Sequence, residues 1–332
     1  MTTLSLKINA RPWVLYVLGA VLCLPSAAEA GSGLVFVSNE KSHTISVIDP
    51  NKREVVREIK TSHRPRTMRF NPARDQILVA CGDDDVIDII DLKSLKVVDQ
   101  IPTGPSPEAF AFSADGKTIF VSNEEDSMLE VIDVAEKIVT HDIPTGAEPE
   151  GVIVSADGKT VYVTSEVADM VHVIDPAGGF VTKNIIVGTR PRRFALTPDG
   201  KELWVTAELS GEVYVIDRDT HKVKDVITFL PPGLRPEKVT PVGLVISKSG
   251  ETAFVTLGRA NHVAVVDVAS RKIEDYVLVG RRAWGLGMSA DEKTLYVTNG
   301  LSDDVTVIDT ESRKPLISIP VGRVPYAVLI DD

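Results

Sequence analysis

A fifteen-residue pattern recurs seven times in this 332-residue chain. Each copy is a short alternating run, a small polar loop, and a second alternating run that ends in aspartate; residues 295–309 read LYVTNGLSDDVTVID. The closing aspartates are 42 residues apart, with one interval of 50: Asp49, Asp91, Asp133, Asp175, Asp217, Asp267 and Asp309. A fixed period near forty without a helical pattern between copies restricts the chain to a radial or solenoid repeat architecture.

Each repeat contains four short strands. In the fourth copy they are VYVT (161–164), VHVID (171–175), FVTKNIIV (180–187) and RFALT (193–197), followed by an Asp-Gly turn. Four strands in about forty residues are typical of a propeller blade. We therefore predict an all-β, seven-bladed β-propeller of four-stranded antiparallel blades. Because the chain opens on a second strand at Val35 and ends on an innermost one, the C-terminal innermost strand should pair with the N-terminal strands and close the ring.

The seven closing aspartates have a predicted scaffold role. An aspartate at the end of a strand accepts hydrogen bonds from backbone N–H groups in the next turn. All seven repeats keep this residue while its neighbours vary, and a single active site has no use for seven equivalents. We therefore look for function where the repeats differ.

The N-terminus has the layout of a secretory signal peptide. Lys7 and Arg11 precede an apolar stretch, residues 13–24, and Ala28-Glu29-Ala30 offers a small-residue cleavage site. We predict a signal peptide over residues 1–30 and a single propeller domain over 31–332, exported to the periplasm without a membrane attachment after cleavage. An uncleaved N-terminal anchor is the alternative. After removal of residues 1–30, Cys81 would be the sole cysteine, which leaves no internal disulfide.

Composition excludes some functions and leaves others open. A net charge of −11 argues against nucleic-acid binding. The six histidines fall in different columns of the repeat, so we predict no metal site. The chain also lacks a nucleophile elbow, a phosphate loop and a haem-attachment motif, and we predict no catalytic residue.

The loops that enter the innermost strands carry the strongest departures from the repeat. Their proline is nearly constant, whereas its neighbours vary and should surround one mouth of the central channel. The candidate ligand-binding residues are Arg66, Glu108, Glu150, Arg192, Arg193, Arg281, Arg282, Trp284, Arg323 and Tyr326. Guanidinium groups suit carboxylates and phosphates, and large aromatic side chains stack on flat ligands. We predict a planar anionic ligand; a solvated charge ring that binds nothing is the alternative.

Two further features lie on the same face. The fifth repeat carries eight extra residues within 229–240, FLPPGLRPEKVT, which predict a recognition element or a lid, with a neutral insertion as the alternative. The loops between the second and third strands counted from the axis are rich in acidic residues and predict a solvated rim. We also expect the residues at the mouth to contribute little to packing between blades.

The copies VSNEKSHTISVID, VSNEEDSMLEVID, VTSEVADMVHVID and VTNGLSDDVTVID resemble the repeat family named for its Tyr-Val-Thr-Asn strand. The resemblance covers Val35 to Asp332 and implies a seven-bladed propeller of secreted and periplasmic bacterial proteins. More narrowly, the leader, the seven copies and the closing PVGRVPYAVLIDD resemble periplasmic propellers found with pyrroloquinoline quinone (PQQ)-dependent alcohol catabolism. This subgroup implies an accessory or binding role and offers no catalytic set to carry over.

The resemblance makes PQQ a candidate cofactor and a periplasmic quinoprotein dehydrogenase, or its cytochrome, a candidate partner. We expect a non-enzymatic binding protein. One alternative is an enzyme or cofactor-maturation factor that uses Glu108 or Glu150 as base, although surrounding arginines would lower the pKa of such a carboxylate and weaken it as a base. The other is a pure protein-docking platform that uses the insertion and the acidic rim.

Overall fold

The computed structural model describes residues 1–4 and 31–332, so the predicted signal peptide lies outside the described residues except for its first four. Its compact unit spans Gly31–Asp332. Within the described residues there are 28 strands and one short 3-10 helix, Pro236–Lys238. None of the helices in the described part is long and apolar enough to cross a membrane.

Seven four-stranded antiparallel sheets form the blades. The strands of the first three blades are β1 (Leu34–Asn39), β2 (Thr44–Asp49) and β3 (Glu54–Lys60); β4 (Pro65–Phe70), β5 (Gln76–Cys81), β6 (Val86–Asp91) and β7 (Lys96–Pro102); β8 (Pro107–Phe112), β9 (Thr118–Asn123), β10 (Met128–Asp133) and β11 (Ile138–Pro144). Those of the next two are β12 (Pro149–Val154), β13 (Val161–Ser165), β14 (Met170–Asp175) and β15 (Phe180–Ile186); β16 (Pro191–Leu196), β17 (Glu202–Ala207), β18 (Glu212–Asp217) and β19 (Lys222–Thr228). The remaining strands are β20 (Leu244–Ile246), β21 (Thr252–Thr256), β22 (His262–Asp267) and β23 (Ile273–Leu278); β24 (Ala283–Met288), β25 (Thr294–Asn299), β26 (Asp304–Asp309) and β27 (Lys314–Pro320); and β28 (Pro325–Asp331), which completes blade 1.

The ring closes as predicted. Strand β28 pairs antiparallel with β1, with Val35 opposite Ile330. Gly33 N–H donates to the carbonyl of Asp331 at 2.7 Å, and the Asp331 carboxylate accepts the Ser32 N–H at 2.8 Å. Arg74 of blade 2 reaches the same carboxylate at 3.1 Å. Both chain ends of the propeller are thus paired within one blade, which removes two exposed sheet edges.

Apolar side chains fill the spaces between neighbouring blades. One cluster joins Leu78 and Ile89 of blade 2 to Phe110 and Val121 of blade 3, and the others repeat this arrangement around the ring. Phe110 is fully buried, and burying such a side chain contributes about 1.5–3 kcal/mol. Phe110 and the other apolar side chains of the innermost strands therefore form an inter-blade layer.

The closing aspartates have the scaffold role predicted for them. Each accepts at least one backbone N–H from the turn that follows it, as Asp91 does from Ser94 at 2.7 Å and Asp133 does from Ala135 at 2.9 Å. The other donors are Asn51 to Asp49, Ala177 to Asp175, Thr220 to Asp217, Ser270 to Asp267 and Ser312 to Asp309. Hydrogen bonds from the side chain and backbone of Ser94 lower the pKa of Asp91.

A second repeated contact joins each blade to the next. A hydroxyl group near the end of the second strand from the axis donates to the carbonyl of the residue after the proline in the following blade. The pairs are Ser38–Arg66 (2.8 Å), Ser122–Glu150 (2.7 Å), Thr164–Arg192 (3.0 Å), Thr206–Val242 (2.9 Å), Thr256–Trp284 (2.6 Å) and Thr298–Tyr326 (3.1 Å). Ala80 stands at the seventh position. These bonds fix the backbone of the innermost strands at one end of the axis.

The same close approach explains why small residues follow the axial position in the innermost strands: Thr67, Ala109, Gly151, Gly243, Gly285 and Ala327. A β-carbon at Gly151 would lie 2.2 Å from the carbonyl oxygen of Arg192, and one at Gly285 would lie 2.2 Å from that of Tyr326. Gly243 is equally close to Trp284. At these three blades only glycine lets the neighbouring innermost strand approach.

Thr256→Val should remove one inter-blade hydrogen bond and leave the buried Trp284 carbonyl without its donor. We expect the free energy of unfolding to fall by about 1–3 kcal/mol, the cost of an unsatisfied buried polar group. Denaturant titration of the parent and the variant measures this. Thr256→Ser keeps the hydroxyl and is the matched control. If both variants lose the same free energy of unfolding, the hydrogen bond is not what stabilises this contact.

Candidate functional site

The residues after the proline meet at one end of the propeller axis and form what we call the axial ring. Its members are Arg66 (β4), Glu108 (β8), Glu150 (β12), Arg192 (β16), Val242, Trp284 (β24) and Tyr326 (β28). The sheet register shifts just after the proline in most blades. Six of the seven are buried, and Arg66 is nearly so. The axial ring is therefore part of the protein interior, and the expectation that these residues contribute little to packing is wrong.

Glu150 is the centre of the charged half of the axial ring. Its carboxylate lies 2.9 Å from Arg193, 3.3 Å from Arg192 and 3.8 Å from Arg66, and it accepts the Tyr326 hydroxyl at 2.9 Å. Burial opposes its ionisation, but the three guanidinium groups outweigh burial and hold the pKa of Glu150 far below its ordinary value. Glu150 is thus a permanent anion and a poor general base near neutral pH.

Two more clusters of paired charges flank Glu150. On one side Glu108 is paired with Arg66 and, at 2.8 Å, with Arg64. On the other side Arg192 is paired with Glu166 and, at 2.8 Å, with Glu208. Every arginine of the axial ring is therefore bound to carboxylates of the protein itself.

Glu166 differs from Glu150 in its protonation. It lies 2.6 Å from Arg190, yet burial and then the charge of Glu150 raise the pKa of Glu166 to about 7 against the attraction of Arg192 and Arg190. The acidic cluster around Arg192 therefore takes up a proton near neutral pH. This relieves the repulsion between two buried carboxylates that share one cation.

The other half of the axial ring is apolar. Val242, Trp284 and Tyr326 form a buried cluster, with the Trp284 and Tyr326 centroids 6.0 Å apart. Guanidinium groups cover both aromatic side chains. Arg192 and Arg282 lie 5.2 and 4.7 Å from the Trp284 centroid, and Arg66 and Arg193 lie 4.7 and 5.3 Å from that of Tyr326. These cation–π contacts join the two halves of the axial ring.

An axial cavity of about 280 Å³ lies along the innermost strands next to the axial ring. It is lined by Val242, Trp284 and Tyr326 of the axial ring, by the small-residue column, and by Arg69 and Arg193. The Arg69 side chain is exposed to the cavity and makes no hydrogen bond or ion pair with any of the described residues; the protein around it and the charge of Arg193 lower the pKa of Arg69. The indole N–H of Trp284 is buried and likewise has no partner among residues 31–332.

A family model for the choice-of-anchor I domain matches residues 125–299, which is more than half of the chain. The chain belongs to the choice-of-anchor I domain family. A second model, for the YNCE-like beta-propeller, matches residues 73–158. A search of curated proteins gave no significant match.

Solved structures share the fold of this choice-of-anchor I domain. Hydrazine synthase of Kuenenia stuttgartiensis superposes with a TM-score of 0.74 at 22% identity, covering 84% of this chain and 92% of that one. A functionally unknown protein from Desulfotomaculum acetoxidans superposes with a TM-score of 0.76 at 15% identity, covering 90% and 99%. At these identities the similarity extends to the fold alone.

The choice-of-anchor I propeller brings together most of the predicted site residues. Arg66, Glu108, Glu150, Arg192, Arg193, Trp284 and Tyr326 meet at the axis, with Arg282 over Trp284. Arg281 and Arg323 lie outside on exposed loops, where Arg281 donates to the Leu301 carbonyl at 2.7 Å. Arg69, which is not among the predicted ligand-binding residues, lines the cavity. Glu208 was also missed in the sequence analysis. Glu208 directly follows a strand, as Glu40, Glu124 and Glu166 do, and this shared column was the available signal.

The insertion of the fifth repeat is anchored at both ends. Phe229 and Val239 are buried in the cluster between blades 5 and 6, and Leu234 packs against it. The Leu230 N–H donates to the Tyr276 hydroxyl at 3.0 Å. Arg235 and Glu237 extend into solvent between these anchors. The segment is thus a fixed projection beside the axial ring, and its part in recognition stays a prediction.

Two other chemically reactive side chains are structural. Cys81 is fully buried, and burial together with the nearby Asp88 raises the pKa of its thiol. His172 lies 2.9 Å from the Ser165 hydroxyl and 2.7 Å from Asn184, an arrangement like a nucleophile and its base. The Gly146 N–H, however, donates to the same nitrogen at 2.9 Å, just as the Gly104 N–H donates to Glu130. His172 thus holds a loop to a strand, as Glu130 does in the neighbouring blade, and its role is structural.

No group of three candidate metal ligands occurs within the part of the chain that the structure describes. The cavity-lining residues include two arginines but neither carboxylates nor histidines. The cavity is therefore suited to anions.

Glu150→Gln should destabilise the protein strongly, since it removes the anion shared by three buried guanidinium groups. Breaking a buried ion pair from one side costs about 3–5 kcal/mol. Because the pKa of Glu150 is lowered, its contribution is present above the ordinary glutamate value of 4.5 and is lost as pH falls below it. The difference in the free energy of unfolding between parent and variant should therefore become smaller in acid.

Denaturant titrations at pH 7 and pH 3.5 measure both effects. Glu136→Gln, on an exposed residue away from the axial ring, is the control and should change the free energy of unfolding by less than about 0.5 kcal/mol. A Glu150→Gln protein as stable as the control would contradict the assigned role.

Proposed function

We propose that this choice-of-anchor I propeller is a non-enzymatic binding protein that holds a small planar anion in its axial cavity. The observation that carries the proposal is Arg69, a cation without an ion pair among the described residues, which lines the cavity beside a second cation, Arg193. Unneutralised charge in a recess with low-dielectric walls concentrates counter-ions. Trp284 and Tyr326 also line the cavity, with guanidinium groups over their rings.

The cavity is a better site than the exposed side of the axial ring. An anion arriving there would have to displace Glu108, Glu150, Glu166 or Glu208 from their arginines. Buried, hydrogen-bonded pairs of this kind are costly to break from one side. Of the predicted ligand-binding residues, Arg193, Trp284 and Tyr326 line the cavity. The remaining members of the axial ring support these three.

A binding role accounts for the protonation states better than catalysis does. Glu150 stays ionised, as expected. For Glu108, the other candidate base, the expectation is wrong, because burial raises its pKa despite Arg66; Glu108 is nevertheless held by two arginines and lies outside the cavity lining. Glu166 titrates near neutral pH but is engaged with Arg190 and Arg192. An enzyme or cofactor-maturation factor remains the alternative, and turnover assays on purified protein distinguish the two.

We further propose that the protein is periplasmic and serves a quinoprotein oxidation system, with a quinoprotein dehydrogenase or its cytochrome as partner. The support is the resemblance of Val35–Asp332 and the leader to propellers of PQQ-dependent alcohol catabolism. The cavity residues fit the chemistry of PQQ, because PQQ is a flat ring system with three carboxylates. Arg69 and Arg193 would hold carboxylates.

Isothermal titration with PQQ, and with a simpler aromatic dicarboxylate, tests the ligand class. Arg69→Gln should weaken binding by about 1.5–3 kcal/mol, the range for a charge-assisted hydrogen bond, and this loss should shrink as salt is raised. Because Arg69 has no partner among the described residues, the fold should be unaffected. Arg281→Gln, on an exposed loop outside the cavity, is the matched control.

If neither compound binds the parent protein at low salt, the cavity proposal fails and the docking platform takes its place. If binding occurs but Arg69→Gln and Arg281→Gln weaken it equally, the ligand lies on the exposed face.

The export proposal has a separate test. Intact-mass measurement on a periplasmic extract should give a mature chain that begins near Gly31, because the basic start and short apolar core direct secretion and Ala28-Glu29-Ala30 directs cleavage. Recovery of all 332 residues from the cytoplasm would contradict it. A membrane-bound full-length chain would favour the uncleaved anchor instead.

A further inference from the structure

Exposed charges on the face that carries the axial ring are divided by sign. We call this surface the ring face; it carries the loops that enter the innermost strands and the loops that join the next two. Its acidic sector consists of the exposed Asp83, Asp84, Asp85, Glu125 and Asp126 on blades 2 and 3, with the half-buried Glu148 next to them on blade 4. Its basic sector, from the insertion to blade 1, has the exposed cations Lys238, Arg259, Arg281, Arg323 and Lys41, among which lie the exposed Glu237 and the half-buried Asp303 and Asp304. The two sectors lie on opposite sides of the propeller axis.

The basic sector is uncompensated within the chain. Arg259, Arg281, Arg323 and Lys238 form no ion pair with the described residues, and neither do Glu125 and Asp126 of the acidic sector. A cationic sector on a protein of net charge −11 attracts a negatively charged surface. A purely acidic partner, however, would be repelled by the other half of the same face.

The repeat places equivalent residues at equal distances from the axis. One position lies eight residues before each closing aspartate, in the loop that joins the second and third strands from the axis. In blade order it holds Lys41, Asp83, Glu125, Val167, Leu209, Arg259 and Leu301. Val167 is 63% exposed and Leu209 is 51% exposed. This column therefore places apolar side chains on blades 4 and 5, an anion on blade 3 and a cation on blade 6.

A two-fold axis in the plane of the ring face makes this pattern self-complementary at blades 3 to 6. If it passes between blades 4 and 5 and over blade 1, it exchanges blade 2 with blade 7, blade 3 with blade 6 and blade 4 with blade 5. At blades 2 and 7 it sets Asp83 against Leu301 of the second copy, a pair without complementary chemistry. Arg259 then faces Glu125 of the second copy, and Leu209 faces Val167 of the second copy. Lys41 lies on this axis, where its own Glu40, 3.9 Å away, offsets its charge.

We propose that two copies of this chain associate through their ring faces about this two-fold axis. The contact is isologous, so each pair occurs twice. The same operation brings Lys238 of the insertion over the loop that contains Glu148, which gives the insertion a function as an interface element. The axial cavity is lined by the innermost strands beyond the axial ring, so this proposal does not depend on ligand binding.

Sedimentation velocity of the full mature chain over a wide concentration range should show a monomer–dimer equilibrium. Charge reversal by Arg259→Glu or by Glu125→Arg should each weaken association roughly 100-fold, taking about tenfold for each lost pair and two pairs per dimer. The double variant carrying both changes should recover the parental dissociation constant, because opposite charges face each other again. Lys159→Glu, on the turn at the opposite face, is the control and should leave association unchanged.

Thermal melting establishes that each variant is folded. A parent that stays monomeric at every concentration would overturn the proposal. A dimer that both single reversals leave intact, or that the double variant fails to restore, would overturn it as well, since the contact would then lie elsewhere.

Discussion

The fold and the site both depend on one repeated hydrogen bond. A hydroxyl group on the second strand of one blade donates to the carbonyl of the axial-ring residue in the next blade. Six of the seven blade junctions have it, at 2.6–3.1 Å. It holds neighbouring innermost strands so close that Gly151, Gly243 and Gly285 have no room for a β-carbon. Because the bonded carbonyls belong to the axial-ring residues, the contact that joins the blades also directs those side chains to the axis.

That convergence places many charges in a small, dry volume. Isolated buried charges are costly, and they are tolerated when they are paired and hydrogen-bonded. Glu150 satisfies this condition with three arginines and a tyrosine hydroxyl, and Glu166 satisfies it by taking up a proton near neutral pH. Arg69 lies outside this dry volume: it is exposed to the cavity and has no ion pair among the described residues, which is why the cavity is the proposed site of an external anion.

The fold could be predicted from sequence because the same strand pattern occurs seven times. The closing aspartates, the four strands per copy and the offset between Val35 and the last strand predicted the blades and their closure. The convergence of Arg192 and Trp284 followed from alignment of the copies. Alignment gives columns but no distances, so it could not show that Arg192 is bound to Glu208 or that guanidinium groups cover Trp284. It also gave no sign that Arg69 lacks a partner.

The pairing of β1 with β28 has a consequence for the order of folding. These strands lie at opposite ends of the described propeller, and closing a loop of such length costs roughly 5 kcal/mol of chain entropy by the logarithmic rule. Contacts between distant segments form late. Blades 2 to 7 are each continuous in sequence and can assemble in turn, whereas blade 1 waits for the final strand. The chain is then an open arc with two unpaired edges, and that arc is the state most exposed to edge-to-edge aggregation.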